Sequence, residues 1–203
     1  MSSVYKLRVE LEGSHPKIWR EFLVAPDITF YKLHHILQII MGWENYHLFE
    51  FESDTYRIGQ PYEDDGYNGP NEVISPENLK IEDVLKITGQ KLSYLYDFGD
   101  YWQHTITLER IIEDLRVPFP VCCFGELNCP PEDVGGLPGF YDFLRIMDNA
   151  KHSEHEQLKK WVQSKHVALG RKYDPKKFPI EKVNFLLLHL DAYISDWEAE
   201  AEQ

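Results

Sequence analysis

Asp97, Asp100 and His104 lie in the stretch YLYDFGDYWQHTITLE, Tyr94 to Glu109, which reads as two strands joined by a tight Asp-Phe-Gly-Asp turn. Residues on either side of such a turn approach closely. Two carboxylates and an imidazole there could hold a divalent cation or perform acid–base work. The structural alternative is that the aspartates bond backbone amides two residues on, Gly99 supplies a positive φ, and His104 hydrogen-bonds inside a half-buried sheet.

A second concentration is CCFGELNCPPEDVGGLPG, Cys122 to Gly139, which reads as a turn-rich loop. Thiolates bind soft metals and attack electrophiles. The spacing of Cys122, Cys123 and Cys129 lacks the two paired ligand sets of a structural zinc site. Cys129 could instead join His104 and a carboxylate such as Asp100 or Glu132 in a mixed metal site. It could also act as a nucleophile with His104 or His47 as base. Against both stands a small buried residue opening a rigid Pro-Pro turn. Glu132 and Asp133 are candidate general bases or an acidic ligand-binding lip, or else carboxylates at the start of a helix. Tyr101 and Trp102, at the hairpin tip, would leave one ring exposed to a partner or planar ligand. His34 and His35 are adjacent on a helix and point about 100° apart. One is expected to pack and the other to face water, while His152 and His155 are expected on the surface. Full burial of both His104 and Cys129 would favour a structural role for these two motifs.

The elements that must position these groups follow from periodicity. Tyr5, Leu7, Val9 and Leu11 alternate with Lys6, Arg8 and Glu10 as a half-buried strand, and Ile18 to Val24 returns as its hairpin partner. Thr29 caps a helix carrying Leu33, Ile36, Leu37, Ile40 and Met41, which Gly42 ends. Trp43 to Phe51 reads as a strand, followed by the acidic loop Glu63 to Pro70. Ser75 or Asn78 is expected to cap a short helix with Leu79, Val84 and Leu85. Lys91 to Ile112 supplies the central hairpin. A helix is predicted over Phe140–Asp148 and another after the capping-box spacing Ser153-Glu154-His155-Glu156. A last helix runs from Pro179 with Val183, Leu186, Leu187, Leu190 and Ile194 on one face.

Strands dominate before Pro118 and helices after it. This predicts an α+β fold: a mostly antiparallel N-terminal sheet with a packed helix, then a C-terminal group of helices. No linker divides the chain, so residues 1–203 are expected to form a single domain, strand-rich over about 1–117 and helix-rich over about 140–197. The 203 residues are 43% hydrophobic and carry a net charge of −13. That charge argues against duplex nucleic acid, whose ligands show a basic patch or stripe. The basic run Arg171 to Lys177 is interrupted by Asp174. The N-terminus has no signal-peptide pattern, and the most apolar run, Phe185 to Leu190, is too short to span a bilayer. A cytoplasmic protein with reduced cysteines is expected.

Longer motifs carry a resemblance. Tyr96-Asp97-Phe98-Gly99-Asp100-Tyr101-Trp102-Gln103-His104 resembles the YDFGDxWxH signature of the plasmid pRiA4b ORF-3-like family. Cys129-Pro130-Pro131-Glu132-Asp133-Val134-Gly135-Gly136 with Gly139-Phe140 is similar to its CPPEDxGGxxGY segment, with Phe140 in place of tyrosine. Leu33-His34-His35-Ile36-Leu37-Gln38 with Gly42-Trp43 and His47-Leu48 follows its LHxxIQxxxGWxxxHL pattern, with leucine at position 37. The resemblance implies a cytoplasmic α+β protein of plasmids, bacteria and archaea, without a settled activity. Some members are labelled as passenger or resolvase-like proteins of insertion elements, but this chain shows no serine or tyrosine recombinase motif.

Three readings of function follow. The first is a binding or adaptor module with a protein or small-molecule partner, using Tyr101, Trp102, Cys129 and His47. The second is a metal-dependent hydrolase with Asp97, Asp100 and His104 as ligands and Glu132 or Asp133 as general base. A mobile-element-associated DNA role is the weakest.

Overall fold

The computed structural model describes residues 3–60, 73–115, 118, 120–165 and 173–201. The acidic loop Glu63 to Pro70 and the basic pair Arg171-Lys172 lie outside the described residues.

Eight strands form one sheet in the order β5-β4-β3-β6-β7-β1-β2-β8. They are β1 (Ser3–Leu11), β2 (Trp19–Val24), β3 (Phe49–Glu52), β4 (Arg57–Gly59), β5 (Val73–Ile74), β6 (Lys91–Tyr96), β7 (Trp102–Glu113) and β8 (Val121–Glu126). All pairs are antiparallel except β4 with β5. Alternation in β1 buries Tyr5, Leu7, Val9 and Leu11, as a half-buried strand requires. In β7, Trp102, His104, Ile106 and Leu108 share the buried face.

The first helix, α1 (Phe30–Met41), is capped by the Thr29 hydroxyl, which accepts from Lys32 N at 3.2 Å, and is closed by Gly42 at φ 82°. Ten of its twelve residues are buried. Such a helix must be covered on more than one side. The sheet covers one side, and α5 (Ile180–Leu188) and α6 (Leu190–Ala201) cover another. This coverage explains why His34 and His35 are both buried, against the expectation that one would meet water. His35 sits among Tyr31, Tyr193 and Trp197. His155 is also buried, its Nδ1 3.2 Å from Ile146 O.

Several boundaries differ from expectation. Residues 43–48 form a loop, and β3 starts at Phe49. The short helix α2 (Ile81–Val84) starts after Lys80, whose amide bonds Asp83 Oδ2, rather than after Ser75 or Asn78. A bridge from Thr29 to Lys80 holds that approach extended. The start of the cysteine segment is the edge strand β8, and α3 (Gly136–Met147) begins four residues before Phe140. The α4 helix (His155–Lys165) follows. The last helix breaks at His189, giving α5 and α6. Among the described residues no helix is long and apolar enough to cross a membrane.

Candidate functional site

Three connections meet at one end of the sheet, and each is fixed by buried polar contacts. The first is the loop from α1 to β3. Trp43 is buried and donates its Nε1–H to Pro130 O at 3.0 Å. Glu44 N bonds Glu132 Oε2 at 3.0 Å. Asn45 N bonds Gln38 Oε1 at 3.1 Å, and Asn45 Oδ1 lies 2.6 Å from His34 Nε2. The next residues, Tyr46, His47 and Leu48, reach the surface.

The second connection is the β6–β7 turn. Asp97 adopts φ 57° and Tyr101 φ 59°. Asp97 Oδ1 accepts from Gly99 N at 2.8 Å and from Asp100 N at 3.3 Å. This is the turn-forming role expected of an aspartate. Its amide bonds Leu48 O, and its carbonyl accepts from Tyr101 N.

The third is the loop Asn128 to Gly136. Asp100 Oδ2 accepts from Gly135 N at 3.1 Å, so the cysteine-bearing loop is held against the hairpin. Gly135 and Gly136 both have positive φ. A Cβ on Gly136 would stand 2.7 Å from Asp100 O. Glycine is therefore required here twice, by conformation and by contact. Asp133 also has positive φ, 58°.

The resulting geometry brings together a set that differs from the one read in the sequence. His47 Nε2 lies 3.0 Å from Asp133 Oδ1 and 3.6 Å from Asp97 Oδ2. Among the described residues, His47, Asp97 and Asp133 are the group whose ligand atoms, all within 4.8 Å of one another, could share a metal ion. Among the described residues, three of the six non-glycine positive φ values belong to Asp97, Tyr101 and Asp133, with Asn45 a fourth at the base of the loop. Such conformations cost on the order of 1–3 kcal/mol each and concentrate at functional sites.

Asp97, Asp100 and His104 do not form a ligand set. His104 is fully buried, with Nδ1 3.2 Å from Tyr94 O and its ring edge-on to Trp43. Burial holds its pKa down to about 4, so it is a neutral core residue. The alternation that puts His104 on the face of Trp102 also puts both in the core. Trp102 is fully buried, so Tyr101 alone of the pair meets solvent. Cys129 is fully buried too. Its Sγ takes an N–H from Arg20 Nη2 at 3.2 Å and lies 3.2 Å from Met41 Sδ. Burial pushes its thiol up, against the pull of Arg20, so it makes a poor nucleophile. Cys129 and His104 thus both have structural surroundings.

Glu132 is buried as well. It accepts from the Tyr96 hydroxyl and from Glu44 N, and burial raises its pKa. Its carboxylate ties the 130s loop to β6 and to the loop after α1. Replacing Glu132 with alanine would leave both donors unpaired, and a loss of about 2–4 kcal/mol is expected in urea unfolding. Glu132→Gln keeps the shape and one acceptor oxygen but sets an NH2 against the other donor, so it should lose roughly half of that. A glutamine variant as stable as wild type would show that packing, not hydrogen bonding, is what Glu132 supplies.

Known proteins match this chain along most of its length. Residues 3–182 match the plasmid pRiA4b ORF-3-like protein family. The chain is 35% identical over 165 residues to the uncharacterized protein y4hQ of Sinorhizobium fredii, covering 81% of this chain and 83% of that protein. It is also similar to the crystal structure of the protein of unknown function MM3350 from Methanosarcina mazei Go1. That match has a TM-score of 0.73 at 31% identity, over 89% of this chain and 97% of that one. The expected α+β architecture and the quoted motifs agree with these matches, and the chain belongs to the plasmid pRiA4b ORF-3-like family.

Proposed function

We propose that this chain is a cytoplasmic binding module that takes a protein partner at the end of the sheet where loop 43–48 meets the β6–β7 turn. The carrying observation is a set of large apolar side chains left exposed on a frame that is otherwise rigidly held. Tyr46 is 67% exposed, Tyr101 62%, Leu48 43% and Phe98 42%. Leu48 and Tyr101 both bond the backbone of Asp97, so these side chains flank His47 and Asp97 directly. Tyrosines on a preorganised surface lose little entropy on binding and are common anchors of protein interfaces. The net charge of −13 fits a basic or neutral protein surface better than duplex nucleic acid.

The hydrolase reading placed its ligands at Asp97, Asp100 and His104, and the burial of His104 removes one of the three. The net charge of −13 argues against a DNA role in a mobile element.

The test compares immobilised wild type with the Tyr46→Ala/Tyr101→Ala double variant, using extract of the native host and quantitative mass spectrometry. Both residues are well exposed, so folding should be unaffected. A partner anchored here should be depleted at least about tenfold in the variant, the cost of losing a single anchor of about 1.4 kcal/mol or more. Identical capture profiles would remove this face as the docking surface.

A further inference from the structure

We propose that His47, Asp97 and Asp133 bind one divalent transition-metal ion. The inference is independent of the partner surface: it rests on donor geometry and holds whether or not a protein docks beside it.

The first argument is distance. A zinc-like ion holds nitrogen and oxygen donors at about 2.1 Å. Two such donors around one ion are then about 3.0 Å apart at a right angle and about 3.4 Å apart at the tetrahedral angle. His47 Nε2 stands 3.0 Å from Asp133 Oδ1 and 3.6 Å from Asp97 Oδ2. The third edge lies within 4.8 Å, and the Asp133 side chain is 45% exposed.

The second argument is the state of Asp97. Its side chain is only 9% exposed. Oδ1 is occupied by the amides of Gly99 and Asp100. Oδ2 lies 3.6 Å from His47 Nε2, which is beyond a hydrogen bond. This mostly buried carboxylate thus turns its second oxygen toward the imidazole. Such an oxygen calls for a cation. Asp97 and Asp133 reach this arrangement from left-handed backbone positions, and Asp100 pins the Asp133 loop through Gly135 N.

The third argument is donor type. One imidazole and two carboxylates suit zinc, manganese, cobalt or ferrous iron better than calcium or magnesium, which favour oxygen donors alone. Three protein donors on the rim of the surface leave positions for water or for an oxygen of a bound partner, as in open zinc sites.

Zinc and cobalt chloride are the probes. Tag-free protein, stripped by chelator and dialysed, is titrated by calorimetry with Zn²⁺ and by visible absorbance with Co²⁺, in 1 mM Mg²⁺. The expected result is one ion per chain. His47→Ala and Asp133→Asn should each weaken binding at least about tenfold and abolish the cobalt d–d bands. Both residues are partly exposed, so the variants should fold, and far-UV circular dichroism checks this. His152→Ala, a change at a half-buried histidine remote in sequence, should bind as wild type does. The proposal is overturned if no ion binds at 100 μM, or if binding is unchanged in His47→Ala and Asp133→Asn. Identical partner capture by wild type and the Tyr46→Ala/Tyr101→Ala variant, with metal binding intact, would uphold this site alone, and depleted capture with no metal bound would uphold only the docking face.

Discussion

Acidification from pH 7.5 to pH 5 is expected to remove about 4 kcal/mol or more of this protein's stability. Burial holds both His35 and His104 at pKa values of about 4, against an ordinary value of 6.5. Below pH 6.5 the unfolded chain takes up protons at these positions, and the native chain does not until about pH 4. The native state therefore binds fewer protons, so stability rises with pH. The contribution is complete above 6.5 and is lost as pH falls towards 4. At pH 5 each histidine accounts for about 2 kcal/mol, from 1.36 kcal/mol per pH unit. His34 adds loss in the same direction, because burial and its neighbour His35 hold its pKa well down. Its surroundings need the neutral ring. The Nε2–H donates to Asn45 Oδ1, and Nδ1 accepts from the Tyr94 hydroxyl, which in turn accepts from Gln38 Nε2. A proton on Nδ1 would turn that hydroxyl around and leave its hydrogen without an acceptor. Glu132 works the other way, since its raised pKa lets the native state keep a proton longer.

Tertiary fluorescence or near-ultraviolet circular dichroism against pH should show loss of native packing near pH 5, within reach of a total stability of 5–15 kcal/mol. The decisive variant is His35→Phe. Both ring nitrogens of His35 lack a partner among the described residues, and its neighbours are aromatic. Phenylalanine loses no hydrogen bond there. The variant should be about 2 kcal/mol more stable than wild type at pH 5, and its stability should depend less on pH. A wild type whose urea midpoint is the same at pH 7.5 and pH 5 would refute the account.

The fate of the histidines also shows what a sequence can reveal. Local period and caps were legible: β1, β2, the Thr29 and Gly42 bounds of α1, and the β6–β7 hairpin follow from neighbours in the chain. Tertiary cover was not. Nothing in Leu33 to Gln38 announces that α5 and α6 close over α1 and bury His34 and His35 together. The candidate site divides in the same way. Asp97 as a turn former was readable from its spacing to Gly99, because that interaction is local. Its pairing with His47 and Asp133 joins three separate segments of chain, and only the fold sets that distance. The adjacent motif histidine, His104, looked the better ligand because it is near in sequence, yet strand alternation sends it into the core. The edge strand β8 escaped notice for another reason. Gly125 and the paired cysteines give it weak strand character, and its backbone is satisfied in part by a side chain, with Asn184 accepting from Cys122 N and donating to Cys122 O.

Replacing Arg20 with methionine is expected to cost about 3–5 kcal/mol, among the largest effects of any single substitution in this chain. Arg20 is fully buried. All five of its N–H groups are used: Nε to Ile40 O, Nη1 to Trp19 O and Glu126 O, Nη2 to Leu127 O and Cys129 Sγ, at 2.7–3.2 Å. The guanidinium lies 3.8 Å over the Phe178 ring. Gly125 is required beside it, since a Cβ there would come within 2.7 Å of both Arg20 and Phe178. One side chain thus closes the C-terminal end of α1, the exit from β8 and the start of the Cys129 loop. Methionine matches much of its volume but strands four carbonyl oxygens away from water, each costing about 1 kcal/mol or more. Arg20→Lys keeps the charge with three donors and no planar fork, so it should recover only part of the loss. The two variants separate the causes in urea unfolding. If charge alone mattered, lysine would restore wild-type stability, and if packing alone mattered, methionine would be nearly neutral. The expected order is wild type, then lysine, then methionine. The loss should carry through the Cys129 loop to Asp133, so the methionine variant is also expected to bind zinc more weakly than wild type while still folded.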